Sequence, residues 1–168
     1  MQLYVKQIHC PSLGRGGGTA TNDQMRWFWN ITDALYPGIY LCCSNNHAAR
    51  NQSFVGASMA EARRVLFGVG RRVPIIPYIW PDWEDQPGNF QDSYTLKMLL
   101  QGITRNGGDG VVIWGAKPDA GAGGARKCMQ FEAWLNTSLG PLLRELPFCP
   151  LPDIDRSIVY CGGDDNPS

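Results

Sequence analysis

Apolar positions recur at helical spacing in four stretches of the chain and crowd into short runs between them. Asn22-Asp23 is a suitable N-cap, and Met25, Phe28, Trp29 and Ile31 after it predict a helix over Asp23–Leu35, ended by Pro37. Gly38–Cys42, with Ile39-Tyr-Leu41, reads as a short strand, and Ser44–Ser53 as a polar loop. Met59, Ala62, Val65, Leu66 and Val69 predict a second amphipathic helix stopped by Gly70. Val73–Tyr78 is nearly all apolar and lacks alternation, the pattern of a parallel strand buried on both faces. Trp80–Phe90 is aromatic, acidic and carries Pro81 and Pro87, so it reads as a loop. Tyr94–Thr104 is the third helix, with Asn106-Gly-Gly108 as its stop, and Gly110–Trp114 is another buried-type strand. A last helix is predicted over about Ala125–Leu143.

Ahead of these elements, Leu3-Tyr-Val5 is a scrap of strand character and Cys10–Thr21 a loop containing Gly16-Gly-Gly18. That run lacks the spaced Lys and Ser/Thr of a phosphate loop. The order is one helix, then strand–helix three times, which is the βαβ pattern of a parallel sheet in an α/β fold. Three strands match less than half of a (β/α)₈ barrel, which takes about 250 residues. A doubly wound sheet competes, but no G-x-G-x-x-G follows a strand, so nucleotide binding has no support. Past Pro147 the chain turns Cys- and Pro-rich, dividing it into 1–146 and a tail over 147–168.

Charge removes one class of function. Lys+Arg 15 balance Asp+Glu 15, whereas an electrostatic nucleic-acid binder carries a basic excess. No apolar run is long enough to span a membrane. The charged fraction of 18% lies below the roughly 25% usual for soluble domains, so the chain can build a core. Gly 20 and Pro 12 exceed the combined usage of about 12% expected of an average protein, which implies many loops.

The six cysteines, Cys10, Cys42, Cys43, Cys128, Cys149 and Cys161, form no CxxC pair. With His9 and His47 the only histidines, no metal or other cofactor is expected. An even cysteine count in a loop-rich chain reads as disulfides in an oxidising compartment, with Cys149–Cys161 a local pair. Sequons at Asn30, Asn51 and Asn136 agree with secretion. Met1–Ile8 has no apolar leader core, so the chain's beginning is expected to be missing.

Five segments together resemble the hyaluronidases of glycoside hydrolase family 56. They are Asn22–Trp29, Ala34–Leu41, Glu61–Val65, Pro74–Tyr78 and Gly110–Gly115, in that order, followed by Cys128 and Leu139-Gly-Pro141. The resemblance runs from about Cys10 to Leu143. It implies the C-terminal half of a modified, TIM-like (β/α) barrel, with Cys149–Cys161 beginning a Cys-rich, EGF-like module. The implied activity is hydrolysis of β-1,4 N-acetylhexosaminide bonds in hyaluronan or chondroitin, in a secreted or lysosomal protein. A glycosaminoglycan is the implied partner, and no protein partner is. In the family a D-x-E motif on an early barrel strand supplies the acid and orients the substrate's N-acetyl group, whose carbonyl oxygen is the nucleophile. The motif order puts that strand upstream of Met1, so the chain alone is expected to be inactive.

Asp82-Trp-Glu84 is itself a D-x-E whose carboxylates would share a face if extended. It follows a later strand and lies between two prolines, so it is read as a solvated or rim loop. The resemblance makes Tyr36 and Trp114 sugar-site residues. Barrel sites sit at the C-terminal ends of strands, an indole face suits a sugar ring and an acetamide methyl, and a phenol can donate to a carbonyl. Tyr40 and Tyr78 are read as strand packing. By the same resemblance, Cys10 and Cys128 pair with cysteines missing from the chain. Ser58 and Trp80 stand where the family has an Arg that can meet an acidic polymer, which implies weaker hyaluronan attraction. Arg63, Arg64, Arg71 and Arg72 are read as a helix's solvent face. A non-catalytic, secreted carbohydrate-binding or relic barrel protein on the same scaffold is the competing function.

Overall fold

The computed structural model describes residues 18–42, 48–114 and 122–145. The expectations for Leu3–Val5, Cys10, Cys43, Cys149, Cys161 and the tail 147–168 lie outside these residues.

Three short strands, β1 (Gly38–Ile39), β2 (Tyr78–Ile79) and β5 (Val112–Ile113), pair in parallel in the order β1-β2-β5. Gly38 is opposite Tyr78, which is opposite Val112, and a Leu35–Ile75 bridge extends the same register backward. The centre of the sheet contains a proline, which is unusual because proline cannot donate to a ladder. Here Ile76 and Tyr78 donate to the Leu35 and Pro37 carbonyls just ahead of β1, while Ile75 and Pro77 offer only carbonyls to backbone donors from the β5 side. Pro77 therefore costs the ladder one donor, and the Ile75 N–H finds the Asp109 carboxylate instead, at 2.9 Å.

The helices pack on one face of this sheet. α3 (Ala48–Val69) and α4 (Ser93–Arg105) bury Val55, Met59, Ala62, Leu96, Leu99 and Ile103 with Leu35, Ile39, Ile75 and Ile79 in one core. Asp92 caps α4 by accepting from the Thr95 N–H at 2.8 Å. The expected stops are observed. Gly70 (φ 74°) follows α3 and Gly107 (φ 80°) follows α4, both in the left-handed region that side chains disfavour.

Several boundaries differ from the sequence reading. The first predicted helix is two short ones, α1 (Gly18–Gln24) and α2 (Arg26–Trp29), so residues 18–21 are not loop. Asn22 is not an N-cap; it is buried inside α1, where its side chain serves a tertiary contact. Leu35 belongs to the sheet, because its carbonyl accepts from Ile76. α3 begins at Ala48, so residues 48–53 of the polar loop are helical, and Asn51 is buried on its inner face. Part of the predicted loop after β2 is a hairpin, β3 (Asp82–Trp83) with β4 (Gln86–Phe90), too short for alternation to betray it. The last helix, α5 (Ala122–Trp134), continues through a π-helical turn over Leu135–Leu139 into α6 (Gly140–Glu145). Pro141 explains the turn: it lacks an N–H and its ring crowds the preceding carbonyls, and the Gly140 N–H reaches back five residues to Leu135. No helix among the described residues is long and apolar enough to cross a membrane.

Candidate functional site

The period-2 alternation of a strand sorts β1 and its flanks into two faces. Leu35, Pro37, Ile39 and Leu41 are buried toward the helices, while Tyr36 and Tyr40, with Gly38 between them, take the other face. Register carries the sorting across the sheet: Tyr36 is level with Ile76 and Gly110, Gly38 with Tyr78 and Val112, and Tyr40 with Trp80 and Trp114. A Cβ on Gly110 would lie 3.7 Å from Ile76 Cγ2, which places those two positions side by side. The face opposite the helices thus carries Tyr36, Tyr40, Tyr78, Trp80 and Trp114, none of them fully buried.

These rings form two groups. Tyr36 leans on Tyr78, with centroids 5.7 Å apart, across the register position where Gly38 has no side chain. At the C-terminal ends of the strands, Tyr40 meets Trp80 edge-on at 5.8 Å. There the Trp114 indole N–H donates to the Tyr40 hydroxyl at 2.8 Å. Trp114 is 52% exposed. Of the two sequence candidates, then, Trp114 does end its strand, whereas Tyr36 precedes β1 and sits one four-residue step below Trp114 on the same face. The argument from strand ends fails for Tyr36. Tyr40 and Tyr78, read from the sequence as strand packing, pack in the structure against Trp114 and Tyr36 respectively. The signal was available in the alternation of residues 35–41.

The D-x-E of the hairpin is arranged for local structure. The Asp82 carboxylate accepts from the Gly88 backbone N–H at 2.7 Å, and the Glu84 N–H donates to the Leu41 carbonyl at 2.9 Å. The hairpin is thereby tied to the end of β1, and the middle residue Trp83 is buried.

The charged motif residues meet elsewhere. Glu61 is buried on α3, and its Oε1 accepts from Asn22 Nδ2 at 2.8 Å. Arg64 grips the same carboxylate through Nε and Nη2, both at 2.7 Å, and reaches Asp23 with Nη1 at 2.7 Å. The Arg64 hydrogen bonds hold the Glu61 carboxyl below the usual carboxylate range against the opposing effect of burial. The same bonds push the guanidinium further up. Two segments of the resemblance, Asn22–Trp29 and Glu61–Val65, thus form a clamp between α1 and α3 rather than a sugar site.

Other candidate cations also serve their own loops. Arg63 and Arg71 donate to the carbonyls of Asn106 and Thr32, and Arg72 lies 4.0 Å from Asp109. Ser58 is wholly buried and its hydroxyl has no partner among the described residues, so position 58 faces the core in this chain and not a polymer. Asn30 and Asn136 are exposed, but Asn51 is 5% exposed, and a glycan there would have no room in this fold. Cys128 is an exposed free thiol, and Cys42 is disulfide-bonded. No group of three His, Cys, Asp or Glu among the described residues could hold a metal ion.

Comparison with known proteins assigns the chain. The family model for hyaluronidase, glycoside hydrolase family 56, matches residues 9–148. The hyaluronidase of Apis mellifera is 32% identical over 126 residues, 74% of this chain and 32% of its own. Hyaluronidase-1 of Homo sapiens is 30% identical over 135 residues, 80% of this chain and 29% of its own. The crystal structure of bee venom hyaluronidase in complex with a hyaluronic acid tetramer superposes with a TM-score of 0.67 at 31% identity. That match covers 75% of this chain and 38% of that one. The chain therefore spans about a third of the length of these relatives. It belongs to the hyaluronidase family, glycoside hydrolase family 56.

Proposed function

We propose that this chain forms the sugar-facing, C-terminal part of a (β/α)-barrel endo-glycosidase of the hyaluronidase type. Its substrate is hyaluronan or chondroitin, cleaved at β-1,4 N-acetylhexosaminide bonds with the N-acetyl oxygen as nucleophile. The observation that carries the reading is the aromatic sheet face. Five rings share one side of a parallel sheet, and three of them, Tyr40, Trp80 and Trp114, cluster at the strand ends where barrel sites lie. Trp114 offers an exposed indole to a sugar ring. The resemblance implies that Tyr36 offers a phenol to the N-acetyl carbonyl, from one four-residue step below that cluster on the same face. A solved relative's complex with a hyaluronic acid tetramer supports the substrate class. In this reading the acid pair comes from outside residues 1–168, and Asp82, which accepts from the Gly88 N–H, is part of the hairpin's own structure. The whole protein acts outside the cytosol, secreted or lysosomal.

The arrangement of Asp82 favours a second reading, a carbohydrate-binding protein that does not cleave. One experiment addresses both. A hyaluronan hexasaccharide is titrated into the chain while tryptophan fluorescence is followed, beside a hyaluronan gel assay. The proposal expects saturable binding that Trp114→Ala weakens, and no cleavage by this chain alone. Absence of binding, or binding indifferent to Trp114→Ala, refutes it. Cleavage abolished by Glu84→Gln would return the acid pair to the hairpin. Adding the relatives' missing barrel portion in one polypeptide separates the two readings: cleavage selects the enzyme, binding alone the lectin-like protein.

A further inference from the structure

α2 presents apolar side chains to solvent as well as to the core. Trp29 is buried and Phe28 packs against the core, but Trp27 is 66% exposed and Ile31, one helical turn on, is 70% exposed. Single exposed apolar residues are ordinary, whereas two at i and i+4 share a face and make a patch. Beside them stands Asn30, exposed, at the head of the sequon Asn30-Ile-Thr32. The helical turn runs on through Asn30 (φ −65°, ψ −25°), whose N–H donates to Arg26, while the Ile31 N–H donates to Phe28. Trp27 and Asn30 are therefore i and i+3 on one face, with Cβ atoms about 5–6 Å apart. Helical side chains lean toward the N-terminus, so a group carried on Asn30 lies over the turn that holds Trp27. Phe28 meets the Trp27 ring in a T-shape at 5.8 Å and 77° and backs it. The other two sequons lack this arrangement. Asn51 is buried on α3. Asn136 lies inside the π-helical turn, where Trp134 is buried and Ser138 is already hydrogen-bonded to Ser93 at 3.2 Å.

We propose that Asn30 carries an N-linked glycan whose first N-acetylglucosamine packs its apolar face on the Trp27 indole. The sequon alone marks Asn30 as an acceptor; the fold supplies the surface on which the sugar rests, since an indole face suits a sugar ring. The donor is an oligosaccharide on a polyprenyl diphosphate. A bond forms between Asn30 Nδ2 and the anomeric carbon, the amide nitrogen gives up one proton, and the diphosphate leaves with the bonding pair. The inference takes from the proposed function only the passage of the protein through the secretory route.

The test secretes the full 168-residue chain from animal cells behind a cleavable leader, as wild type, Trp27→Leu and Trp27→Tyr, and makes the same sequences in bacteria without glycan. Peptide mass spectrometry should find Asn30 occupied. With the glycan trimmed to its first sugar, proton spectra should show the acetyl-methyl and ring protons of that sugar moved upfield by the indole ring current in wild type, less in Trp27→Tyr and not in Trp27→Leu. The sugar should raise Tm by about 2–4 °C in wild type and leave it unchanged in Trp27→Leu. Hydroxyl-radical oxidation of Trp27 should be slower with the sugar than without it. An unoccupied Asn30, unmoved sugar protons in wild type, or an equal Tm gain in Trp27→Leu overturns the proposal. So does a Trp27 already protected in the bacterial chain, where polypeptide would be its cover. Hyaluronan hexasaccharide binding on the same samples should be indifferent to Trp27→Leu, and a loss there would give Trp27 to free glycosaminoglycan and overturn the proposal. A wild type that binds no hexasaccharide but holds the sugar on Trp27 refutes the glycosaminoglycan site alone, which keeps the two failures apart.

Discussion

Replacing Arg64 with methionine tests whether the Asn22–Glu61–Arg64–Asp23 clamp is an electrostatic device. Arg64→Met keeps a long apolar stem but removes two of the three donors to the buried Glu61 carboxylate, leaving Asn22 Nδ2. Hydrogen bonds to charged groups contribute about 1.5–3 kcal/mol each. The Arg64 side chain is 42% exposed, so water screens part of this. There is also a ceiling, because the abandoned carboxylate can take a proton instead of staying charged. Protonating a carboxyl of ordinary pKa 4.5 at pH 7 costs about 3.4 kcal/mol. The loss expected at pH 7 is therefore about 2 kcal/mol, or about 4–8 °C in Tm.

The pH dependence follows from the two directions of shift. In the wild type the Glu61 pKa is lowered by folding, so its stabilisation is complete above the ordinary carboxylate range and is lost as pH falls through the folded value. In Arg64→Met burial dominates and the folded pKa rises above the unfolded one. The variant then recovers stability as pH falls from 7 toward 5, where the protonation ceiling is only about 0.7 kcal/mol. Urea unfolding followed by tryptophan fluorescence at pH 7, 6 and 5 reads the gap directly. The reasoning is refuted if the gap between variant and wild type is constant with pH, or wider at pH 5 than at pH 7.

Three further outcomes are expected. Gly108→Ala should destabilise by about 1–3 kcal/mol, since its Cβ would lie 2.4 Å from Ile103 Cγ2 in the core, whereas Gly56→Ala, with nothing within 4 Å on α3, should stabilise by about 0.5–1 kcal/mol; urea midpoints check both signs. Ser58→Ala should raise the urea midpoint, by up to about 1 kcal/mol in stability, because it removes a buried hydroxyl that has no partner among the described residues. Asp82→Asn should speed amide exchange at Gly88 yet leave hexasaccharide binding unchanged, and a lost affinity would show that the hairpin carboxylate serves the sugar after all.

The order of elements and the parallel sheet were legible in the sequence because apolar period and glycine stops are local signals. Gly70 and Gly107 end their helices as read, and residues 73–79 and 110–114 enter the sheet. Family membership was legible for a related reason: five segments kept their order and spacing. Side-chain roles were set by partners distant along the chain. Asn22 has the composition of a cap, but Glu61, 39 residues away, draws it into α1. Ser58 occupies a position where the resemblance implied contact with a polymer, yet its helix face turns it into the core. Tyr36, Tyr40 and Trp114 were all named from the sequence, but the bond between Trp114 and Tyr40 joins residues 74 positions apart across an intervening strand, and no local pattern announces it. Periodicity fixes which face of an element a residue occupies. Only register between strands decides which residues of that face meet, and register is a property of the assembled sheet.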